Sequence, residues 1–164
     1  MCIPWNVSQH SFRKIMSSRE ENETRIIILQ GIIQQLMTTR SNELFKKLAL
    51  TTSEFGIINH FSHQPTRSWT VSELAQVMEM NQPGITKLVA NLIDKSALSA
   101  TTDAFDKRKR HLLITQQGLN LCAETMEKLQ PDIRLCFADW QDDQLTQFAE
   151  HNEKLMHWLD NHRL

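Results

Sequence analysis

The sequence predicts a mainly α-helical chain with one small β-hairpin, and three observations carry that prediction. Glycine and proline are scarce, at four each in 164 residues, which is too few turn residues for an all-β fold. Apolar residues recur at steps of three and four along most of the chain, the helical period. After Lys95 this period gives way to a threonine-rich stretch, a charged run and a short apolar stretch, which together read as two strands around a loop.

Residues 1 to about 20 show weak periodicity and read as a tail, with one turn of helix near Phe12 to Met16. From about Glu23 to Ala49 the pattern is helical, through Ile26, Leu29, Ile33, Leu36 and Met37 and again Leu44, Phe45 and Leu48. Such a broad apolar stripe exceeds what a lone small domain uses and predicts a partner surface. A second helix opens at Thr51, with Glu54 at capping-box spacing, and buries Phe55, Ile58 and Phe61 before Pro65. Trp69-Thr70-Val71 is a short extended stretch. The third helix starts at Thr70 or Ser72, with Thr70 and Glu73 again spaced as a capping box. The fourth takes Asn81 as N-cap and Pro83 in its first turn, with Ile85, Leu88, Val89 and Leu92 buried.

Leu98 to Thr102 and His111 to Thr115 are the hairpin strands, and Asp103 to Arg110 is their loop. Thr115-Gln116-Gln117-Gly118 leads into a long helix through Leu121, Cys122, Met126, Leu129, Ile133 and Phe137, kinked or interrupted at Pro131. A last helix spans about Asp142 to Asn161. No internal repeat or low-complexity segment is present.

Composition narrows the function classes. A hydrophobic fraction of 40% permits a packed core, and the length suits one domain with a helical appendage. No apolar run approaches the roughly 18 residues of a membrane span, and Met1-Cys2-Ile3-Pro4-Trp5 does not begin a secretory signal, so a cytoplasmic protein is expected. Cys2, Cys122 and Cys136 are too sparse for a disulfide framework or a zinc ribbon. Cys122 reads as a core residue, Cys136 as a second candidate for the core, and Cys2 as a tail thiol open to redox chemistry.

The net charge of −1 hides an asymmetry. From Asn81 to Thr115 six Lys/Arg face three Asp, a net of +3, whereas from Gln141 to Leu164 two bases face five acids, a net of −3. A basic face on a nearly neutral chain is what phosphate contact requires.

Two short helices joined by a tight turn pack steeply, with a small residue near the crossing. Ala75 fills that role, Ile85 follows ten positions later, and Leu74, Met78, Met80 and Leu88 supply the shared core. Glu79 stands in the turn where many such motifs carry glycine. The outward face of the second helix is Gln82, Gly84, Thr86, Lys87 and, one turn later, Asn91. These groups suit a major groove, where amides and hydroxyls read base edges. A solvated helix face has a similar composition, and the neighbouring hairpin tips the balance. In the run Asp106-Lys107-Arg108-Lys109-Arg110, four consecutive cations cannot all enter a core. Strand alternation sends Lys107 and Lys109 one way and Arg108 and Arg110 the other. An arginine at a hairpin tip reaches the negative potential of the minor groove, and Asp106 shapes the loop by binding local N–H groups.

With these residues in place, the sequence resembles the MarR family of bacterial regulators. The segment Leu50 to Phe55 looks like that family's second helix, Trp69 to Ala75 like its next element, and Ile85 to Val89 like its recognition helix. Asp106-Lys107-Arg108 followed by Thr115-Gln116-Gln117-Gly118 is similar to the wing signature of Asp-x-Arg and, seven residues after that Arg, Thr-x-x-Gly. The match covers about Glu23 to Asn161. Ala97 departs from it where the family usually has glycine, as does the uncharged strand Ser99 to Thr102.

The resemblance implies a winged helix-turn-helix lobe at about 50–117, flanked by dimerisation helices at about 22–49 and 118–164. It also implies a homodimer on a pseudo-palindromic operator and a small, often aromatic, effector. The chain would then be a ligand- or stress-responsive repressor of transcription that binds double-stranded DNA. Base readout falls to Gln82, Gly84, Thr86, Lys87 and Asn91. Ser72 offers a phosphate contact at a helix start. Lys107, Arg108 and Lys109 hold the backbone or minor groove.

Two other classes compete, a winged-helix module that binds protein and a metal-sensing regulator. His60 and His63 are three apart, but no four-ligand set is evident among the seven histidines. No cofactor is expected. No Gly-x-Ser-x-Gly, phosphate-binding glycine loop or metalloprotease motif points to an enzyme. Trp5, Trp69, Trp140 and Trp158 read as packing anchors.

Overall fold

A computed structural model of the chain describes residues 17–163 apart from Arg108. The expectations for Phe12 to Met16, Cys2 and Trp5 therefore concern residues outside the described ones, as does the placement of Arg108. The chain divides into two compact units after Thr52.

The first unit holds α1 (Ser18–Phe45), which starts five residues earlier and ends four residues sooner than the apolar pattern predicts. A capping box sets the start. Ser17 Oγ accepts the Glu20 N–H at 3.3 Å, and the Glu20 carboxylate accepts the Ser17 N–H at 2.6 Å. These hydrogen bonds from Ser17 hold the Glu20 carboxyl below its usual range. At the other end Lys47 and Leu48 donate to Leu44 and Phe45, three residues back, so the last apolar residues lie in tightened turns. Phe45 is the one buried residue of α1. Ile26, Ile27, Ile28, Leu29, Ile33, Leu36 and Met37 stand between 43% and 64% exposed.

The second unit carries α2 (Thr52–Ser62, its first residue lying at the unit boundary), β1 (Trp69–Thr70), α3 (Val71–Val77), α4 (Gln82–Asp94), β2 (Leu98–Thr102), β3 (Arg110–Ile114), α5 (Gln116–Cys136) and α6 (Asp142–Asn161). Its core is built from Ile57, Ile58 and Phe61 of α2, Leu74 and Ala75 of α3, and Ile85, Val89 and Leu92 of α4, closed by Leu98 and Leu112 of the hairpin. Met78, Met80 and Leu88, predicted in the shared core of α3 and α4, are only half-buried.

The sheet has three strands rather than two, in the order β1-β3-β2, all antiparallel. Trp69 pairs with Leu112, and Leu98 pairs with Ile114. Trp69 is buried, with His60 against it edge-on at 4.6 Å and the Arg67 guanidinium 3.7 Å over its ring. Burial, followed by the charges of Arg67 and His63, holds the His60 imidazole below its ordinary pKa.

Glu54, at capping-box spacing from Thr51, is buried and ion-pairs with Lys95 at 2.7 Å, tying α2 to the end of α4. α5 is not interrupted at Pro131 and continues as helix to Cys136. Its buried positions are Gly118, Cys122 and Thr125. Cys122 is thus a core thiol, with its pKa pushed up by burial. Cys136, the second candidate for the core, is exposed, because α5 outruns the lobe's core by its last three turns. Trp140 meets Phe137 at 5.5 Å and Phe148 at 5.3 Å, joining the end of α5 to α6. It is an anchor as expected, whereas Trp158 is 58% exposed and stacks on His162.

Candidate nucleic-acid interface

The start of α4 is fixed by its own sequence. Asn81 Oδ1 accepts the Gly84 N–H at 2.8 Å, Pro83 lies in the first turn, and both match the predicted cap. A Cβ on Gly84 would stand 3.0 Å from that same Asn81 oxygen, so a larger residue crowds the cap. The turn before it needs a left-handed residue, and Glu79 supplies it at φ 52°. This is the position where the motif commonly has glycine, and Glu79 holds the glycine-like backbone with a side chain attached. Arg163, at the far end of the chain, reaches this turn. It bonds the Gln76 carbonyl at 3.4 Å and pairs with Glu79 at 3.3 Å.

α3 begins as predicted, with the Thr70 hydroxyl accepting the Glu73 N–H and the Glu73 carboxylate accepting the Thr70 N–H. Thr70 thereby lowers the pKa of Glu73. Ser72 in this first turn and Gln82 at the start of α4 hold each other, Gln82 Nε2 donating to Ser72 Oγ at 3.1 Å. The two candidate contacts thus form one pre-ordered polar cluster bridging the helix starts.

Gln82, Thr86, Lys87 and Asn91 are all exposed on α4, while Gly84 is half-buried. Thr86 donates its hydroxyl to the Gln82 carbonyl at 2.8 Å, which leaves its methyl group and an oxygen lone pair facing out. Sequence reasoning missed Pro83 and Ala90, which are exposed on the same helix. Both are apolar, and a search for hydrogen-bonding groups passes over them, although a small apolar group is what meets a thymine methyl.

The wing loop corrects one reading. Strand alternation does not extend to Lys107 and Lys109, because β3 begins only at Arg110 and both lysines lie in the loop. A second carboxylate, Asp103, also shapes this loop. Asp103 Oδ1 accepts the N–H groups of Phe105 at 2.8 Å and Asp106 at 2.9 Å, and Oδ2 meets His111 Nε2 at 2.7 Å. Bonds from His111, then Asp106 and Phe105, hold the Asp103 carboxyl far below the usual carboxylate range. Asp106 takes part through its backbone, its carbonyl accepting the Lys109 N–H at 2.8 Å. Lys107, Lys109 and Arg110 are exposed around it.

The base of the wing explains the Thr-x-x-Gly spacing. Thr115 Oγ1 donates to the Ser96 carbonyl at 2.7 Å and accepts the Gly118 N–H at 2.9 Å, capping α5. A Cβ on Gly118 would lie 2.2 Å from the Ala97 carbonyl oxygen, a distance no side chain survives. Ala97 is fully buried, and Ser96 beside it takes the left-handed backbone at φ 56°.

Among the described residues no group of three or more His, Cys, Asp or Glu is placed to hold a metal ion, and no helix is long and apolar enough to cross a membrane.

No family model and no curated protein matches this sequence. Solved structures do match. A MarR family protein from Bacillus stearothermophilus aligns at 19% identity over 88% of this chain and 99% of its own, with a TM-score of 0.71. The transcriptional regulator BldR from Sulfolobus solfataricus aligns at 21% identity over 87% and 99%, with a TM-score of 0.68. The S. aureus MepR in complex with DNA aligns at 16% identity over 80% and 96%, with a TM-score of 0.64. The helix order, the three-stranded wing and these alignments over most of both chains agree: this chain has the winged-helix fold of the MarR family.

Proposed function

We propose that the chain is a sequence-specific DNA-binding regulator of transcription that acts as a homodimer, a repressor released from a pseudo-palindromic operator by a small effector, with no enzymatic activity. The observation that carries this reading is the α4 face. Its cap, its left-handed entry turn and its buried Ile85, Val89 and Leu92 leave Gln82, Thr86, Lys87 and Asn91 exposed on the outward side, with Gln82 held by Ser72 at the start of α3. Gln82 and Asn91 carry the paired donor and acceptor that read adenine, and Lys87 suits guanine. Ser72, already accepting from Gln82, has its hydroxyl hydrogen to give to a phosphate oxygen. Lys107, Arg108 and Lys109 neutralise phosphates at the wing, and Asp106 helps to close its loop.

The fold likeness supports this reading, since one protein of the same fold has been captured on DNA. The homodimer rests on the apolar surface of α1, whose isoleucines and leucines stand in water in a single chain. The effector class, a small aromatic molecule, rests on the family resemblance. An effector releases DNA by binding better to the arrangement that misfits the operator.

Salt dependence tests the reading. A dimer that neutralises about 6–10 phosphates loses roughly 10³–10⁵ in affinity for its duplex between about 50 and 200 mM salt. Titration of a labelled duplex, enriched by the protein from a random-sequence pool, should show that fall. Failure to enrich any duplex, or affinity indifferent to salt, overturns the reading and favours a protein partner for the same face.

A further inference from the structure

Phe105 is 99% exposed, the most open of the large apolar side chains among the described residues. A ring left wholly in water forgoes the burial that normally places phenylalanine in cores. Its backbone, however, is held. The Phe105 N–H is bound by Asp103, which is itself anchored across the hairpin by His111, and the Asp103 N–H and Lys109 carbonyl close the loop at 3.0 Å. The ring is thus displayed from an ordered turn rather than a loose one. Lys107, Lys109 and Arg110, all exposed, follow it within five residues.

An apolar tip set among cations fits a polyanion that has an apolar interior, which is the description of duplex DNA at a base step. It fits poorly in an apolar protein pocket, where the lysines would lose their water. We propose that Phe105 is a wedge that enters the minor groove beside the α4 site and partly unstacks a base step, with Asp103 as its positioning residue. This inference rests on the DNA-binding reading above. Apolar side chains used in this way bend the duplex toward the major groove, and they favour the easily unstacked pyrimidine–purine steps. Phe105 would therefore give specificity at the operator flanks without a single base hydrogen bond.

The test uses the full-length protein and a duplex enriched by the wild type, with a fluorescent adenine analogue at the step beneath the wing. Wild-type binding should raise the analogue's fluorescence as the step unstacks. Phe105→Ala should abolish that rise and weaken binding roughly tenfold, the scale of a lost base–aromatic contact, with no change in the salt slope. Lys109→Ala should do the reverse, making the salt slope shallower by about one per protomer while keeping the rise. Asp103→Asn should lower the rise without removing it, and Phe105→Leu should restore part of it. An unchanged fluorescence rise and affinity in Phe105→Ala overturn the wedge while leaving the DNA-binding reading intact. If the wild type enriches no duplex, both fall together.

Discussion

Helices α1 and α4 look alike in sequence and end up in opposite circumstances. Each carries branched apolar residues at steps of three and four. In α4, Ile85, Val89 and Leu92 are buried within 13 residues and the opposite face is polar. In α1, 28 residues bury only Phe45, and between Ile26 and Leu29 the apolar side chains point to every side. A helical period specifies a helix, but burial needs a second surface, and α4 finds one within its own unit. The apolar surface of α1 stays exposed in the single chain, and on the homodimer reading proposed above it is another copy that covers it.

The strongest challenge to this contrast is to place charge on α1. Replacing Ile33 and Leu36 together by glutamate removes two side chains whose burial contributes about 1.5–3 kcal/mol each. The dimer dissociation constant should rise by at least roughly a hundredfold, read by sedimentation across a concentration series, and duplex binding should fall with it. A double variant that sediments like the wild type at every concentration removes α1 from the interface.

Two glycines sharpen the contrast next. Helix propensity alone says that either one replaced by alanine should stabilise the protein by about 1 kcal/mol. Gly118 should do the opposite. Its new methyl group meets the Ala97 carbonyl, and overpacking of this kind costs about 1–3 kcal/mol. Urea denaturation of Gly118→Ala should show that loss, and a stability at or above wild type would mean that α5 does not approach the wing base this closely. Gly31, in α1, has nothing within 4 Å of a built Cβ. Gly31→Ala should gain about 0.5–1 kcal/mol in the same measurement. A loss instead would place Gly31 at a close helix crossing within the dimer.

The parts of this fold that could be read from the sequence are those decided within four residues. The caps at Thr70 and Asn81 are of that kind, since hydroxyl or amide and N–H lie three residues apart. The same spacing at Thr51 and Glu54 gives no sign of the ion pair with Lys95, 41 residues away. It also went unread at Ser17 and Glu20, where weak periodicity had assigned a tail. Strand β1 has two residues, too few to show a period, so Trp69-Thr70-Val71 reads as extended but its place in the sheet, with Trp69 paired to Leu112, does not. Within the site, polar composition marked the α4 face but passed over Ala90 and Phe105, whose significance lies in exposure. Finding the part that Asp103 plays in the loop required knowing that His111 stands across the hairpin.

Thr115 has a mechanical consequence. A single oxygen atom binds the turn before β2 and caps the first turn of α5, while Gly118 lets that helix press on the Ala97 carbonyl. The first turn of the 21-residue helix and the base of the hairpin are thus fastened at one atom, and a tilt of α5 would reach the wing by way of Thr115.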